Sequence, residues 1–246
     1  MGIEHQHGRT HRLDWADPTL REWDCTVLEA DPERGIVLDR SAFYPGGGGQ
    51  PPDYGVLLWQ GVQTRIVGTR KGDDLYLIPL EGDPLPPVGA TVRGAIEDDR
   101  RTRLMRTHSG LHVLGGVVFR DFGALVTGGN MEPGEARMDF NLPEVPSGFK
   151  QTIEDLVNAE VEQDRRIDAR ILPREDAFAI PDIIRTQQNL IPDDVEDIRI
   201  VDINGLDVQA DGGTHVASTK QIGRMTVAKV ENKGRQNRRI RIRLTD

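Results

Sequence analysis

The middle of the chain carries an apolar pattern with the period of an α-helix. Apolar or small residues recur at spacings that return them to one side of a helix, at Leu104, Leu111, Gly115, Val118, Phe119 and Phe122. Asp98 and Asp99 precede the first turn and offer carboxylates that can cap it. The pattern therefore predicts a long helix that begins near Asp98 and ends near Gly123.

Before this helix, apolar and polar side chains alternate in short runs, which is the period of β-strands. Glycine and proline separate these runs. Many short strands with such breaks are typical of a small β-barrel. We therefore predict a glycine-rich β-barrel domain over residues 20–96, with the domain boundary close to Glu97.

The first 19 residues are polar and do not continue the strand pattern. They include three histidines, at His5, His7 and His11. These side chains can bind metal adventitiously, but we expect residues 1–19 to form a loosely tied polar terminus.

After the central helix, the pattern mixes helices and strands. A helix period predicts a second helix from Pro146 to about Arg165. A predicted hairpin joins residues 198–203 to 206–210 through Asn204-Gly205, a dipeptide suited to a type I′ turn. This hairpin ends at Asp211, and we expect later strands at 224–230 and 239–244 to complete its sheet.

The composition is that of an ordinary globular protein. Of the 246 residues, 37% are hydrophobic and 29% are charged. No apolar run approaches the roughly 18 residues that a membrane span needs. The single cysteine, Cys25, excludes an internal disulfide and fits a reducing compartment. We therefore expect a cytoplasmic protein that does not associate with membranes.

Charge is unevenly distributed along the chain. The net charge of −9 does not by itself indicate a nucleic-acid binder. One C-terminal segment, however, carries seven basic residues and a single acid. Such a basic strip can hold a phosphate backbone, and it is equally compatible with a solvated edge strand. The basic strip consists of Lys229, Lys233, Arg235, Arg238, Arg239, Arg241 and Arg243.

Two motifs contain residue types that bind metal ions. His108 and His112 are four apart on the predicted helix, so both rings leave the same face. About a hundred residues later, Asp211-Gly212-Gly213-Thr214-His215 offers a carboxylate and a third imidazole on a glycine-rich turn. The helical pair alone is equally compatible with two hydrogen-bonded core histidines. Together, three imidazoles and a carboxylate suit one zinc ion.

Four motifs resemble those of a known family and occur in that family's order. They are AFYPGGGGQPPDYG, THSGLHVL, DGGTHVASTKQIG and KVENKGRQNRRIRIRL. The family comprises the editing domain of alanyl-tRNA synthetase and its freestanding relatives, the AlaX trans-editing proteins. The similarity extends from about residue 20 to the C-terminus.

The resemblance implies an α+β protein, in which a small N-terminal β-barrel precedes a two-layer α/β editing domain at residues 97–246 with a mainly antiparallel sheet. It implies an aminoacyl-tRNA deacylase, which hydrolyses the ester between tRNA(Ala) and a wrong amino acid, chiefly serine and in some members glycine. One zinc ion per chain is the expected cofactor. The basic strip is expected to contact the acceptor-stem end of tRNA(Ala), and no DNA partner is expected.

One residue departs from the family's pattern. The second motif of the family usually begins with cysteine, where this chain has Asp211. Asp211 either ligates the metal beside His108, His112 and His215, or leaves the metal to the three histidines and orients water or His215. We favour direct ligation.

Further polar side chains near these motifs are candidates for the substrate pocket. The hydroxyl groups of Ser109, Thr127 and Thr214 can face a serine side chain, although packing accounts for Ser109 and Thr127 equally well. Gln50 follows four glycines, and we expect these residues to form a shaped loop that lets the backbone approach a ligand or the second domain.

Two other functions remain compatible with the sequence. One is a non-catalytic tRNA-binding or regulatory module in which Asp211 marks a lost metal site. The other is a metal-dependent hydrolase of a small ester or amide. Salt-sensitive tRNA binding and metal analysis distinguish these functions from the trans-editing hydrolase.

Overall fold

A computed structural model describes residues 6–245 of the chain. These residues form two compact units. The first contains the residues up to Gly47 together with Pro51–Thr102, and the second contains Gly48–Gln50 together with the residues from Arg103 onward. No helix among the described residues combines the length and apolar character that a membrane crossing requires.

The start of the first unit is folded, so our expectation of a loosely tied terminus is wrong for residues 6–19. Its elements are β1 (Gln6–His7), β2 (Thr10–Arg12), α1 (Leu13–Ala16) and β5 (Arg40–Ser41). β2 pairs with β5, and the buried Arg12 donates from Nε to Asp14 Oδ1 at 2.7 Å. A polar segment packs in this way when its buried charges are matched. His5 lies outside the described residues.

Six strands close into a barrel in the first unit, which confirms the barrel predicted from the strand pattern. They are β3 (Glu22–Asp31), β4 (Gly35–Leu38), β6 (Gly55–Trp59), β7 (Val62–Lys71), β8 (Leu75–Pro79) and β9 (Thr91–Ile96). Their order around the barrel is β3-β4-β8-β7-β6-β9. Trp23 meets Phe43 edge-on inside the barrel at 5.2 Å, and Gly94 lies so close to the Trp23 ring that a Cβ atom would approach it to 2.4 Å.

The second unit combines helices with antiparallel sheets, as the predicted α+β class requires. Its helices are α2 (Asp98–Phe122), whose first five residues belong to the first unit, α3 (Phe149–Glu162), α4 (Arg174–Phe178) and a 3₁₀ turn (Thr219–Ile222). Its strands are β10 (Val126–Glu132), β11 (Glu135–Phe140), β12 (Ile167–Pro173), β13 (Asp197–Ile203), β14 (Asp207–Ala210), β15 (Arg224–Asn232) and β16 (Arg238–Thr245).

The strands of the second unit form two sheets rather than one. One sheet has the order β10-β11-β16-β15, and the other has the order β12-β13-β14. The predicted hairpin is present as β13 and β14, but the expectation that the last two strands complete its sheet is wrong. Strand order depends on long-range packing, which the local pattern does not contain.

Helix α2 is the centre of the core of the second unit. Every residue from 107 to 118 is buried, so this part of the helix is enclosed on all sides. Gly116 permits close packing, since a Cβ atom there would lie 3.0 Å from Asp207. The polar side chains of His108, Ser109 and His112 are therefore held inside the protein.

Candidate metal centre

Two elements of the second unit bring three histidine rings together. α2 supplies His108 and His112, and the turn after β14 supplies His215. The ring centroids of His108 and His112 lie 5.1 Å apart, and each lies within 4.6 Å of the ring of His215. The four-residue spacing on the helix thus places both rings on one face, as predicted.

Backbone hydrogen bonds hold the turn that carries Asp211 and His215. The Asp211 amide donates to the Arg199 carbonyl oxygen at 3.0 Å. The guanidinium of Arg199 in turn donates to the carbonyl oxygens of Asp211, at 3.1 Å, and Gly213, at 2.8 Å. Asp211 Oδ2 accepts from the Gly213 amide at 2.7 Å, which is the local turn that an aspartate favours.

Gly213 is required by the close approach of the turn to α2. A Cβ atom at this position would lie 2.2 Å from His108 Cε1 and 2.8 Å from Gln50 Oε1. Any other residue would displace the histidine or the turn. The glycine at this position is therefore a packing requirement of the histidine cluster.

The Nε2 atoms of the three histidines face the carboxylate of Asp211. Asp211 Oδ2 lies 3.0 Å from His215 Nε2. Asp211 Oδ1 lies 3.5 Å from His108 Nε2 and 3.9 Å from His112 Nε2. One ligand atom from each of these four residues lies within 4.8 Å of the others.

The Nδ1 atoms point away from this centre towards other polar groups. His108 Nδ1 donates to Gln50 Oε1 at 2.8 Å, and His215 Nδ1 lies 3.2 Å from Ser109 Oγ. His112 Nδ1 lies 3.9 Å from Asp207 Oδ2 and has no hydrogen-bond partner among the described residues. The Nδ1 contacts of His108 and His215 orient these two rings with Nε2 towards the centre, which is how metal-ligating histidines are usually held.

Gln50 and Thr214 are hydrogen-bonded to each other on the Nδ1 side of His108. Gln50 Nε2 donates to Thr214 Oγ1 at 2.9 Å, and the Thr214 amide donates to Gln50 Oε1 at 3.1 Å. Ser109 supports His215 in a similar way. Its Oγ lies 3.2 Å from His215 Nδ1 and also accepts a hydrogen bond from the Val216 amide at 3.1 Å. These three side chains contact the histidines or the turn, so the structure places them beside the cluster and outside the wall of the cavity described below.

Burial and neighbouring charges set the protonation of the cluster. Burial lowers the pKa of His108 to about 4, against the opposing effect of Asp211. Burial and the charge of His108 also hold the pKa of His215 well below its usual value. Burial alone would raise the pKa of Asp211, but the imidazoles lower it well below its usual value. Neutral imidazoles beside an ionised carboxylate are the states in which these groups bind a metal ion.

His112 differs from the other two histidines. Burial lowers its pKa, but Asp211 and Asp207 raise it more, and the net shift is upward. Asp211 lies on the Nε2 side of this ring, and Asp207 lies on its Nδ1 side. Three buried nitrogen donors and one carboxylate oxygen of a partly exposed aspartate, all within 4.8 Å of one another, fit a divalent cation such as zinc.

A cavity of about 660 Å³ opens beside the cluster. His108, His112 and Asp211 form part of its wall. Thr127 also lines it, and its hydroxyl lies 3.3 Å from Asn237 Oδ1. The other lining residues are Gly48, Gly49, Leu111, Val126, Gly128, Gly129, Asn130, Met138, Ile183, Ile184, Arg185, Thr186, Gln187, Gln188, Leu190, Ile191, Gln209 and Ala210.

Sequence reasoning missed three charged residues near the cluster. Arg199 is buried in β13, between apolar residues. A charged residue within an apolar strand is a feature of the sequence from which its role could have been predicted. Asp207 is buried behind His112 and accepts from Arg185 Nε at 2.9 Å and from Gln209. Arg185 lies over the Phe119 ring, 4.0 Å from its centroid. Nothing in the local pattern around Asp207 or Arg185 indicated a role near the cluster.

The basic strip lies on β15, β16 and the turn between them, and much of its charge is already paired. Arg239 donates two hydrogen bonds to Asp139, at 2.7 and 2.8 Å, and Arg243 lies 3.1 Å from Glu135. Arg238 donates to backbone carbonyl groups of Pro143, Gly234 and Asn237. Lys229 and Arg241 share Glu231.

The sequence of this chain is similar to those of known proteins over most of its length. Residues 198–241 match the family model described as the threonyl and alanyl tRNA synthetase second additional domain. Alanine--tRNA ligase of Pyrobaculum neutrophilum is 36% identical over 91% of this chain, which corresponds to 25% of the ligase.

Shorter relatives match over their whole length. The alanyl-tRNA editing protein AlaX-M of Saccharolobus solfataricus is 36% identical over 94% of this chain and 97% of its own. The protein of the same name from Methanosarcina barkeri is 31% identical over 96% of this chain and its full length. The chain therefore belongs to the alanyl-tRNA editing protein family, which confirms the resemblance seen in its motifs.

Proposed function

We propose that this protein is a trans-acting hydrolase that deacylates mischarged tRNA(Ala), chiefly seryl-tRNA(Ala) and also glycyl-tRNA(Ala), in the cytoplasm. The observation that carries the proposal is the cluster of three imidazoles and a carboxylate at the wall of a 660 Å³ cavity. Full-length similarity to alanyl-tRNA editing proteins supports the substrate class.

His108, His112, His215 and Asp211 would hold one zinc ion, with Asp211 as a direct ligand through Oδ1. When bound, the ion supplies positive charge for the ester carbonyl and lowers the pKa of water. Gln50 and Ser109 contribute by fixing the rings of His108 and His215, so that the ligand atoms do not have to reorganise.

The cavity wall supplies the groups that would orient the amino acid. Its polar side chains include Thr127, Asn130 and Gln209. A hydrogen bond from one of these side chains to the substrate hydroxyl would favour serine over an amino acid that lacks the hydroxyl. We therefore place the recognition of the serine hydroxyl among these side chains, with the hydroxyl group of Thr127 as its main partner.

Side-by-side deacylation of seryl-, glycyl- and alanyl-tRNA(Ala) tests this function. We expect release of serine to be fastest, release of glycine to be slower and release of alanine to stay at the rate without protein. Equal release of all three would contradict editing. Hydrolysis of small esters without any effect of tRNA would favour a small-molecule hydrolase, and tightly bound tRNA without release would indicate a binding module.

A further inference from the structure

The outer face of one sheet in the second unit carries its charged side chains in ordered rows. Residues of β10, β11, β16 and β15 lie opposite one another across the strands. The row in the middle, here called the central row, consists of Asn130, Arg137, Arg241 and Lys229. The rows beside it consist of Gly128, Asp139, Arg239 and Glu231 on one side, and of Glu132, Glu135, Arg243 and Thr226 on the other.

Positive charge is concentrated in the central row. It holds three cations and no acid, whereas each neighbouring row holds two carboxylates. Glu231 accepts from Lys229 at 3.0 Å and from Arg241 at 2.6 Å, so one carboxylate serves two cations. Arg137 approaches Asp139 at 3.4 Å, but both oxygens of that carboxylate already accept from Arg239. The cations of the central row are thus only partly neutralised.

Repulsion among the cations of the central row destabilises the sheet, and a bound anion would relieve it. Arg137 and Arg241 are direct cross-strand neighbours, and like charges in that position are destabilising. The three cationic side chains are accessible, with exposed fractions of 31% for Arg137, 43% for Arg241 and 65% for Lys229. A guanidinium group matches a phosphate through two parallel hydrogen bonds. The central row is therefore suited to phosphate groups.

The central row begins at the cavity beside the metal centre. Asn130 lines that cavity and also a second cavity of about 250 Å³, whose wall includes Arg137 and Arg241. From Asn130 the row crosses β11 and β16 and ends at Lys229 on β15. Because adjacent strands lie about 4.8 Å apart, the three cations span about 10 Å, which leaves room for two backbone phosphates.

We propose that the central row binds the backbone phosphates of the terminal single-stranded nucleotides of tRNA, with Arg137 and Arg241 each contacting one phosphate. This inference rests on the proposed function, because the cavity at Asn130 has to hold the aminoacylated end. It adds Arg137, which lies outside the basic strip, and leaves out Arg239, whose guanidinium is held by Asp139. The carboxylates in the neighbouring rows repel a backbone that leaves this line.

The test measures binding of uncharged tRNA(Ala) between 50 and 200 mM salt. Arg137→Gln with Arg241→Gln should reduce the slope of log affinity against log salt by roughly 1.4, at about 0.7 for each lost phosphate contact on a single strand. The ratio of wild-type affinity to variant affinity should therefore be about 7-fold smaller at 200 mM salt than at 50 mM salt. Arg137→Lys with Arg241→Lys keeps both charges and should keep the slope.

Arg170→Gln is the matched control. Arg170 is 45% exposed and lies 3.0 Å from Asp202, so it resembles Arg241 in exposure and pairing but lies on the other sheet. This variant should bind tRNA as the wild type does. The thermal midpoint and metal content of each variant show whether it is folded.

A shortened tRNA tests whether the terminal nucleotides are the part of the tRNA that contacts the central row. tRNA(Ala) shortened by its last four nucleotides should bind equally to the wild type and to the double glutamine variant, because the phosphates over the row are then missing. The inference is overturned if the double glutamine variant has the same salt slope as the wild type with full-length tRNA. It is also overturned if the wild type and this variant still differ in affinity for the shortened tRNA. If the wild type deacylates seryl-tRNA(Ala) in the same experiment, the inference alone has failed, whereas a wild type that neither binds nor deacylates overturns the proposed function as well.

Discussion

Each unit encloses one cluster of ionisable side chains, and the two clusters are built differently. In the first unit, Arg101 and Asp53 are both fully buried, and the guanidinium also donates to the carbonyl oxygens of Pro18, at 2.8 Å, and Ala42, at 2.6 Å. In the second unit, three imidazoles and Asp211 direct lone pairs at one point beside a cavity. The first network is closed because its donors meet acceptors, whereas the second gathers three ring nitrogens and a carboxylate oxygen within 4.8 Å of one another.

This difference separates a structural network from a ligand site. Burial alone does not distinguish them, since both groups are almost completely enclosed. A donor matched by acceptors stabilises the fold, and removal of one partner leaves an uncompensated charge. A set of acceptors that converge on one point is complete only when a cation joins it.

The largest effect is expected for the double variant His108→Ala with His112→Ala. Because two of the four proposed ligands are lost, metal content should fall to background and deacylation of seryl-tRNA(Ala) should fall by at least roughly 100-fold, the loss typical of a missing electrostatic stabiliser. Metal analysis of the purified variant and the deacylation rate measure this. His11→Ala, which removes a histidine outside the cluster, should keep both properties, and one metal per chain in the double variant would contradict the ligand set.

Asp53→Ala should destabilise the first unit by about 3–5 kcal/mol, because it leaves Arg101 buried without its carboxylate. All three tryptophans, Trp15, Trp23 and Trp59, belong to this unit, so tryptophan fluorescence during urea unfolding reports on it selectively. Metal content should stay unchanged. Removal of both partners, in Arg101→Leu with Asp53→Leu, should cost less than the single change, and equal costs would argue against an uncompensated charge.

Asp211→Ala tests the residue that departs from the family pattern. If Asp211 is a ligand, zinc affinity should fall by more than about 100-fold, and Asp211→Cys should keep zinc, since thiolate is a strong zinc donor. Competition with a calibrated chelator measures both. Asp211→Asn keeps an acceptor for the Gly213 amide but loses the negative charge. It therefore distinguishes the role of Asp211 as a ligand from its role in the turn. A loss of only 10- to 100-fold in the alanine variant would instead indicate that Asp211 orients a ligand.

A smaller effect is expected for Asp207→Asn. Asp207 lies behind His112, at 3.9 Å from Nδ1, and its charge favours the orientation of that ring. Zinc affinity should fall by about 10-fold, at the lower end of the range for residues that support a ligand. The same chelator competition measures this, with Asp202→Asn as a control in the same sheet. An unchanged affinity would show that Asp207 serves only to hold Arg185 and Gln209.

Features with a short range along the chain were predictable from the sequence. The long helix was predicted from Asp98 to about Gly123 and extends from Asp98 to Phe122. The hairpin was predicted at residues 198–210 and is formed by β13 and β14. The face shared by His108 and His112 followed in the same way. Each of these depends on a period or a turn dipeptide, which a few neighbouring residues determine.

The tertiary structure alone decided which distant groups meet. It brings Gln50 to His108 at 2.8 Å, places Asp207 behind His112, and pairs β16 with β11 so that Arg241 lies opposite Arg137. It also closes the polar N-terminal segment around Arg12 and Asp14. These contacts join residues that are distant in sequence, or bury charges that a composition rule assigns to solvent. They follow from how whole elements pack and which charges that packing matches, and the local pattern contains neither.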